Sequence, residues 1–185
     1  MNGIHPDIDR VLISSEEISR RVAELGAQIT HDFQGEDLLL VCILKGAFLF
    51  MADLARAIDL PLQTGFIAVS SYGHSTQSSG VVRIMKDLDQ EVEGRNVLIV
   101  EDIVDTGLTL SYIAGLLTGR HPKTLKLCTL SNKPQCRKKD VPIDYCGFVL
   151  PDEFVVGYGL DFRDFYRNLP YIGVLKPHLY KDSTP

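Results

Sequence analysis

Residues 97–110, VLIVEDIVDTGLTL, join four apolar residues, two adjacent carboxylates and a short turn of hydroxyls and glycine in one run. An apolar strand that emerges at Glu101 and Asp102 presents acids where magnesium or sugar hydroxyls would suit them. Asp105, Thr106, Gly107, Leu108 and Thr109 then lead into a helical pattern. Amides at a helix start bind phosphate, aided by the helix dipole. Thr106 and Thr109 add hydroxyl donors, and Gly107 permits close backbone approach. The run is neither G-x-x-x-x-G-K-[ST] nor G-x-G-x-x-G, so it is not a Walker A loop or a dinucleotide fingerprint. An acidic pair above a phosphate cradle points instead to a sugar-phosphate substrate. Taken singly, the acids could be a solvated loop and Asp105 a helix cap. Neither reading explains the whole run, because solvated acids need no buried strand before them.

Such a run works only if a sheet holds it. Residues 38–44 (LLLVCIL) form a continuous apolar stretch, as expected of a strand covered on both faces. Lys45 and Gly46 follow at its carboxyl end, and a helix fits 48–58, closed by Pro61. Ser14 and Glu17 make a capping box for an earlier helix carrying Ile18, Val22, Leu25 and Ile29. Further strands are expected at 63–69, 81–84, 95–100, 125–130, 145–149 and 171–175, with a helix at 109–117. Strands alternating with helices predict an α/β fold with a central, mostly parallel twisted sheet flanked by helices. Ligands of such sheets sit outside the carboxyl ends of the strands. Lys45, Glu101, Asp102 and Lys133 all fall at such ends. Residues 70–80 (SSYGHSTQSSG) are polar and uneven, as in a flexible loop that orders over substrate.

The whole chain restricts the chemistry further. Its 185 residues suit one domain, and 45% hydrophobic content supplies a core. A net charge of −5 argues against general nucleic-acid binding, though a local pocket can still take an anion. Cys42, Cys128, Cys136 and Cys146 lack zinc spacing and fit a reduced, cytoplasmic setting. No signal peptide or membrane-length apolar run is visible. The five histidines form no metal or triad spacing.

Residues 97–110 closely resemble the phosphoribosyl-diphosphate (PRPP) signature of type I phosphoribosyltransferases. Leu44-Lys45-Gly46-Ala47 is similar to that family's pyrophosphate loop, and Ser71-Tyr72 to the dipeptide of its lid. Lys133, the segment 151–161 (PDEFVVGYGLD) and Arg167 resemble the 6-oxopurine branch. The likeness spans about residues 10–180 in order.

It implies a single domain over 1–185, with a core at about 36–150, a small hood from both termini and a lid at about 70–81. The implied reaction is purine salvage. The 5-phosphoribosyl group of PRPP passes to hypoxanthine, and to guanine, giving IMP or GMP and pyrophosphate. Glu101 and Asp102 would hold the ribose hydroxyls, directly or through magnesium. Asp105 would act as general base, and residues 105–109 would cradle the 5′-phosphate. Lys45, Gly46 and Arg167 would meet pyrophosphate, with a strained or cis peptide before Lys45. Lys133 would serve in catalysis and donate to the purine O6. Phe154 would stack on the base, Val155 would offer it backbone groups, and Asp161 would border the base site and bind a second magnesium. Ser71 and Tyr72 would close over the reaction. The family implies a homodimer or homotetramer. Leu108 and Ala47 depart from relatives that carry lysine and glycine there. Plain surface or core roles remain open for Lys45, Lys133, Val156, Asp161 and Arg167.

Three other readings stand beside this one. An enzyme of the same class could prefer xanthine or guanine. An RNA-binding regulator on the same fold would need a basic face, and Arg137-Lys138-Lys139 is the only cluster. An acidic-pocket signalling domain would leave Lys133 and the Phe154 segment unexplained.

Overall fold

The computed structural model describes residues 3–71 and 82–181. Nine strands and four α-helices follow in order among them. They are β1 (Ile8–Ile13), α1 (Ser15–Asp32), β2 (Leu38–Leu44), α2 (Phe48–Ala57), β3 (Leu62–Ser71), β4 (Val82–Lys86) and β5 (Asn96–Val104). There follow α3 (Leu108–Thr118), β6 (Thr124–Asn132), β7 (Tyr145–Val149), β8 (Val155–Val156), β9 (Ile172–Leu175) and α4 (His178–Lys181).

Six strands form one sheet in the order β4-β3-β2-β5-β6-β7. Every pairing from β3 to β7 is parallel, and only β4 joins antiparallel. Parallel strands need cover on both faces, which is why β2 and β5 read as unbroken apolar runs. Leu38, Leu40, Cys42, Leu98 and Val100 pack under α1 and α2. Leu39, Val41, Ile43, Val97 and Ile99 pack against α3. The capping box of α1 is formed: the Glu17 amide donates to Ser14 Oγ (3.2 Å) and the Ser14 amide to Glu17 Oε2 (2.8 Å). A smaller antiparallel sheet, β1-β9-β8, comes from the two ends of the chain. Ile13, Val155 and Ile172 tie it to the core beneath α1 and α2.

Some expectations need correction. β5 does not stop at Val100 but runs to Val104, so Glu101 and Asp102 are strand residues. β6 supplies the reason, since its partner positions continue beside β5 as far as Asn132. A strand ends where its neighbours end, not where its side chains turn polar. β1 went unread because Asp9 and Arg10 interrupt a short apolar pattern. Most of the expected lid, including Tyr72, lies outside the described residues. Ser71 is described only as the last backbone position of β3.

Candidate active site

β2 and β5 part company at the pair Cys42–Val100, while β6 continues along β5 to Val104. From β2 the chain steps outward to β3 on one side and later returns as β5 on the other. The sheet order therefore reverses between β2 and β5, and open α/β sheets bind ligands at that crevice. A cavity of about 240 Å³ lies there, lined by Gly46, Glu101, Asp102, Asp105, Thr106 and Thr109 among others. Asp102 is 8% exposed, and its Oδ1 accepts the Ile103 amide at 2.7 Å. Burial, and then the adjacent Asp102 charge, raises the Glu101 carboxyl well above the usual range. A β-carbon at Gly46 would overlap the Asp102 carboxylate, so glycine leaves that side chain its place.

The turn after β5 is shaped by Gly107, whose φ of +78° caps the start of α3. Its carbonyl accepts the Ser111 amide at 2.9 Å, and Gly107 also lines the cavity. Leu108 opens the helix and does not line the cavity. The basic run lies against this turn: the Lys138 and Lys139 amides both donate to the Thr106 carbonyl, at 2.9 and 3.0 Å.

A second cavity, about 700 Å³, is lined by Asp105, Lys133, Glu153, Phe154 and Tyr180 among others. Asp105 belongs to both cavities. Lys133 follows β6 and is 8% exposed; its ammonium donates to the Glu153 carbonyl at 2.5 Å. Phe154 stacks on Tyr180 with centroids 4.8 Å apart and meets Phe162 edge-on at 5.5 Å. Val155 is buried in β8 opposite Val174 and does not line this cavity. Tyr180 went unread in the sequence, since one tyrosine near a chain end carries no periodic signal.

Lys45, Asp161 and Arg167 gather in a third group with an unforeseen member, Asp164. One oxygen, Asp164 Oδ1, accepts from Lys45 Nζ and Arg167 Nη2, each at 3.0 Å. Arg167 Nη2 also pairs with Asp161 Oδ1 at 2.8 Å, and its Nη1 donates to the Gly159 carbonyl at 2.7 Å. Lys45 and then Arg167 hold the Asp164 carboxyl below the usual range. Gly159 sits so tightly on the Gly46 carbonyl that no β-carbon fits between them. The Leu44–Lys45 peptide is cis.

Among the described residues no cluster of three or more histidine, cysteine or acidic side chains could hold a metal unaided. The Glu101–Asp102 pair still fits magnesium. It offers hard oxygen donors, and its desolvated, mutually repelling carboxyls favour a cation. Magnesium commonly takes few protein ligands and completes its shell with water and phosphate oxygens.

An acid pair over a phosphate turn, at the switch point of a mostly parallel sheet, is the arrangement of a phosphoribosyltransferase. The family model for the phosphoribosyl transferase domain matches residues 12–163. The hypoxanthine-guanine phosphoribosyltransferase of Mycobacterium tuberculosis is 56% identical over 95% of this chain and 90% of its own length. The enzyme of that name from Bacillus subtilis is 57% identical over 95% of this chain and 97% of its own. The crystal structure of a hypoxanthine phosphoribosyltransferase from Staphylococcus aureus superposes with a TM-score of 0.93, at 51% identity, covering 97% of this chain and 98% of that one. The chain belongs to the phosphoribosyl transferase family and, within it, to the hypoxanthine-guanine branch. Among the described residues no helix is long and apolar enough to cross a membrane.

Proposed function

We propose that this chain transfers the 5-phosphoribosyl group of PRPP to hypoxanthine or guanine, releasing pyrophosphate and forming IMP or GMP in purine salvage. The observation that carries this reading is the place of Asp105, on the boundary of the phosphate cavity and the cavity holding Lys133 and Phe154. One carboxylate thus stands where ribose and base must meet.

The 5′-phosphate rests on the turn at residues 105–109 and the start of α3. Glu101 and Asp102 hold the ribose hydroxyls. The base enters the second cavity and stacks on Phe154, and Val155 offers backbone groups to its edge. Lys133 turns its ammonium from the Glu153 carbonyl to the purine O6. Adenine has a donor at that position and would leave the ammonium unpaired. Asp161, in the same segment as Phe154, is paired with Arg167 and does not line the base cavity.

A purine ring nitrogen bonds to the anomeric carbon as the bond to pyrophosphate breaks and its electrons leave with pyrophosphate. The transition state carries positive charge on the ribose, which the carboxylates beneath stabilise. Asp105 accepts the proton released at the purine N7. Lys45, Gly46 and Arg167 receive the pyrophosphate. Glu101 and Asp102 would hold one magnesium and Asp161 a second, which would supply charge against the leaving group. Ser71 and Tyr72 belong to a lid that excludes water from the activated ribose.

The four cysteines are all free, which supports a cytoplasmic setting. A homodimer or homotetramer goes with the family, and neither nucleic acid nor membrane is a partner.

The test is a base panel. The purified chain with magnesium and PRPP should couple hypoxanthine and guanine, weakly or not at all adenine and uracil, with xanthine as the open comparison. Asp105→Asn or Lys133→Ala should remove most of the rate, followed by nucleotide formation in absorbance or chromatography. Failure of every purine to couple would end the reading.

A further inference from the structure

The phosphate turn carries no cationic side chain of its own. Its residues are Asp105, Thr106, Gly107, Leu108 and Thr109, and Glu101 and Asp102 line the same cavity. A phosphate monoester is close to a dianion at neutral pH. Amides and a helix dipole offer only partial charges to such a ligand. Magnesium on Glu101 and Asp102 would answer those two carboxylates, but a full positive charge beside the turn itself would attract the phosphate and offset Asp105.

Arg137 stands there. Its Cδ and Nη1 lie 3.2 and 3.3 Å from the position a Gly107 β-carbon would take. Gly107 has φ +78°, and a β-carbon there would overlap the Lys139 carbonyl and press on the guanidinium, so the missing side chain lets the whole 137–139 segment come this close. Arg137 Nη2 donates to Asn132 Oδ1 at 2.5 Å, which fixes the group at the end of β6. Nη1 is buried and finds no hydrogen-bond acceptor among the described residues. No carboxylate pairs with this guanidinium among them either. Arg137 as a whole is half-buried, but a buried guanidinium nitrogen is ordinarily hydrogen-bonded. This one is left unmatched behind an anion-binding turn. The Lys138 and Lys139 amides, both bonded to the Thr106 carbonyl, clamp the same segment onto the turn.

We infer that Arg137 is the counter-charge of the 5′-phosphate, acting as a positioning residue from behind Gly107. The inference rests on the reading of residues 105–109 as the phosphate site. It gives the basic run a role within phosphoribosyl transfer, in place of a nucleic-acid face. It also explains how an apolar Leu108 is tolerated at the head of α3.

Ribose 5-phosphate is the probe, because it carries the phosphate without base or pyrophosphate. In calorimetry the full-length Arg137→Met variant should bind it about tenfold more weakly than wild type, since hydrogen-bonded charge is lost near the anion. The KM for PRPP should rise comparably, with the KM for hypoxanthine and the inhibition constant of pyrophosphate unchanged. Arg137→Lys should retain most of the affinity. Arg137→Gln, which keeps an amide for Asn132, replaces the methionine variant if that one does not fold. Two outcomes overturn the inference. In one, ribose 5-phosphate binds the neutral variant within twofold of wild type. In the other, Arg137→Lys is as impaired as Arg137→Met, which marks packing rather than charge. Failure of the wild-type chain to bind ribose 5-phosphate would instead sink the phosphate-site reading itself.

Discussion

Asp164 shows what one carboxylate oxygen can do between two cations. It accepts from both Lys45 and Arg167, the residues proposed to receive pyrophosphate. Pyrophosphate and Asp164 therefore compete for the same donors. Exposed ion pairs are individually weak, so the competition is modest. Asp164→Asn should tighten product inhibition by pyrophosphate roughly three- to tenfold, read from initial rates with added pyrophosphate. Weaker inhibition in that variant would mean that Asp164 orients the cations rather than contending for them. A substitution that merely damages the fold does not improve binding, so the sign of the change is informative. At the same scale Cys136 is half-buried and close to Asp105 and Asp152. Burial and those carboxylates push its thiol up to about 11. Its alkylation by iodoacetamide should accordingly be slow at pH 8 and climb steeply above pH 10, as followed by mass spectrometry.

Between elements, the joint that matters is where the segment after β8 meets the loop after β2. Gly159 rests on the Gly46 carbonyl, and Gly46 rests on Asp102. The Tyr158 hydroxyl donates to Asp53 Oδ2 on α2 at 2.5 Å, and burial with that bond raises its pKa. Asp53 is held in turn by Arg56. Hydrogen bonds to charged groups contribute about 1.5–3 kcal/mol, so Tyr158 fastens the segment bearing Asp161 and Arg167 to the helix behind the Lys45 loop. Tyr158→Phe should raise the KM for PRPP several-fold and leave that for hypoxanthine near wild type, in steady-state kinetics with each substrate varied. Equal changes in both constants would show that the joint does not act on the pyrophosphate side alone.

Over the whole molecule, acid stability reflects ion pairs that link distant loops. Arg120, beyond α3, donates to both oxygens of Asp87, beyond β4, at 2.8 and 2.6 Å. That pairing holds the Asp87 carboxyl below its ordinary value of 3.8. A depressed carboxyl contributes stability above its unfolded pKa, and the contribution fades as pH falls through the folded one. Arg120→Gln should then cost about 0.5–1 kcal/mol at pH 7 and almost nothing near pH 2. Urea denaturation at the two pH values measures the difference. A loss of equal size at both would place the effect in packing.

The run VLIVEDIVDTGLTL, the Lys45-Gly46 pair, Lys133 and the Phe154 segment could all be read from the sequence, together with the alternation of strands and helices. Local chemistry depends on residue type and short spacing, and burial on both faces of a parallel sheet leaves a continuous apolar signature. The strands β2 and β7 fall at the expected residues for that reason. Tertiary structure alone decided how far β5 extends, because that depends on β6 as a partner. It alone put Asp105 between two cavities, set Asp164 between Lys45 and Arg167, and laid Arg137 behind Gly107. These meetings join residues far apart in the chain, and a single sequence carries no physical signal of a contact made only when the sheet closes.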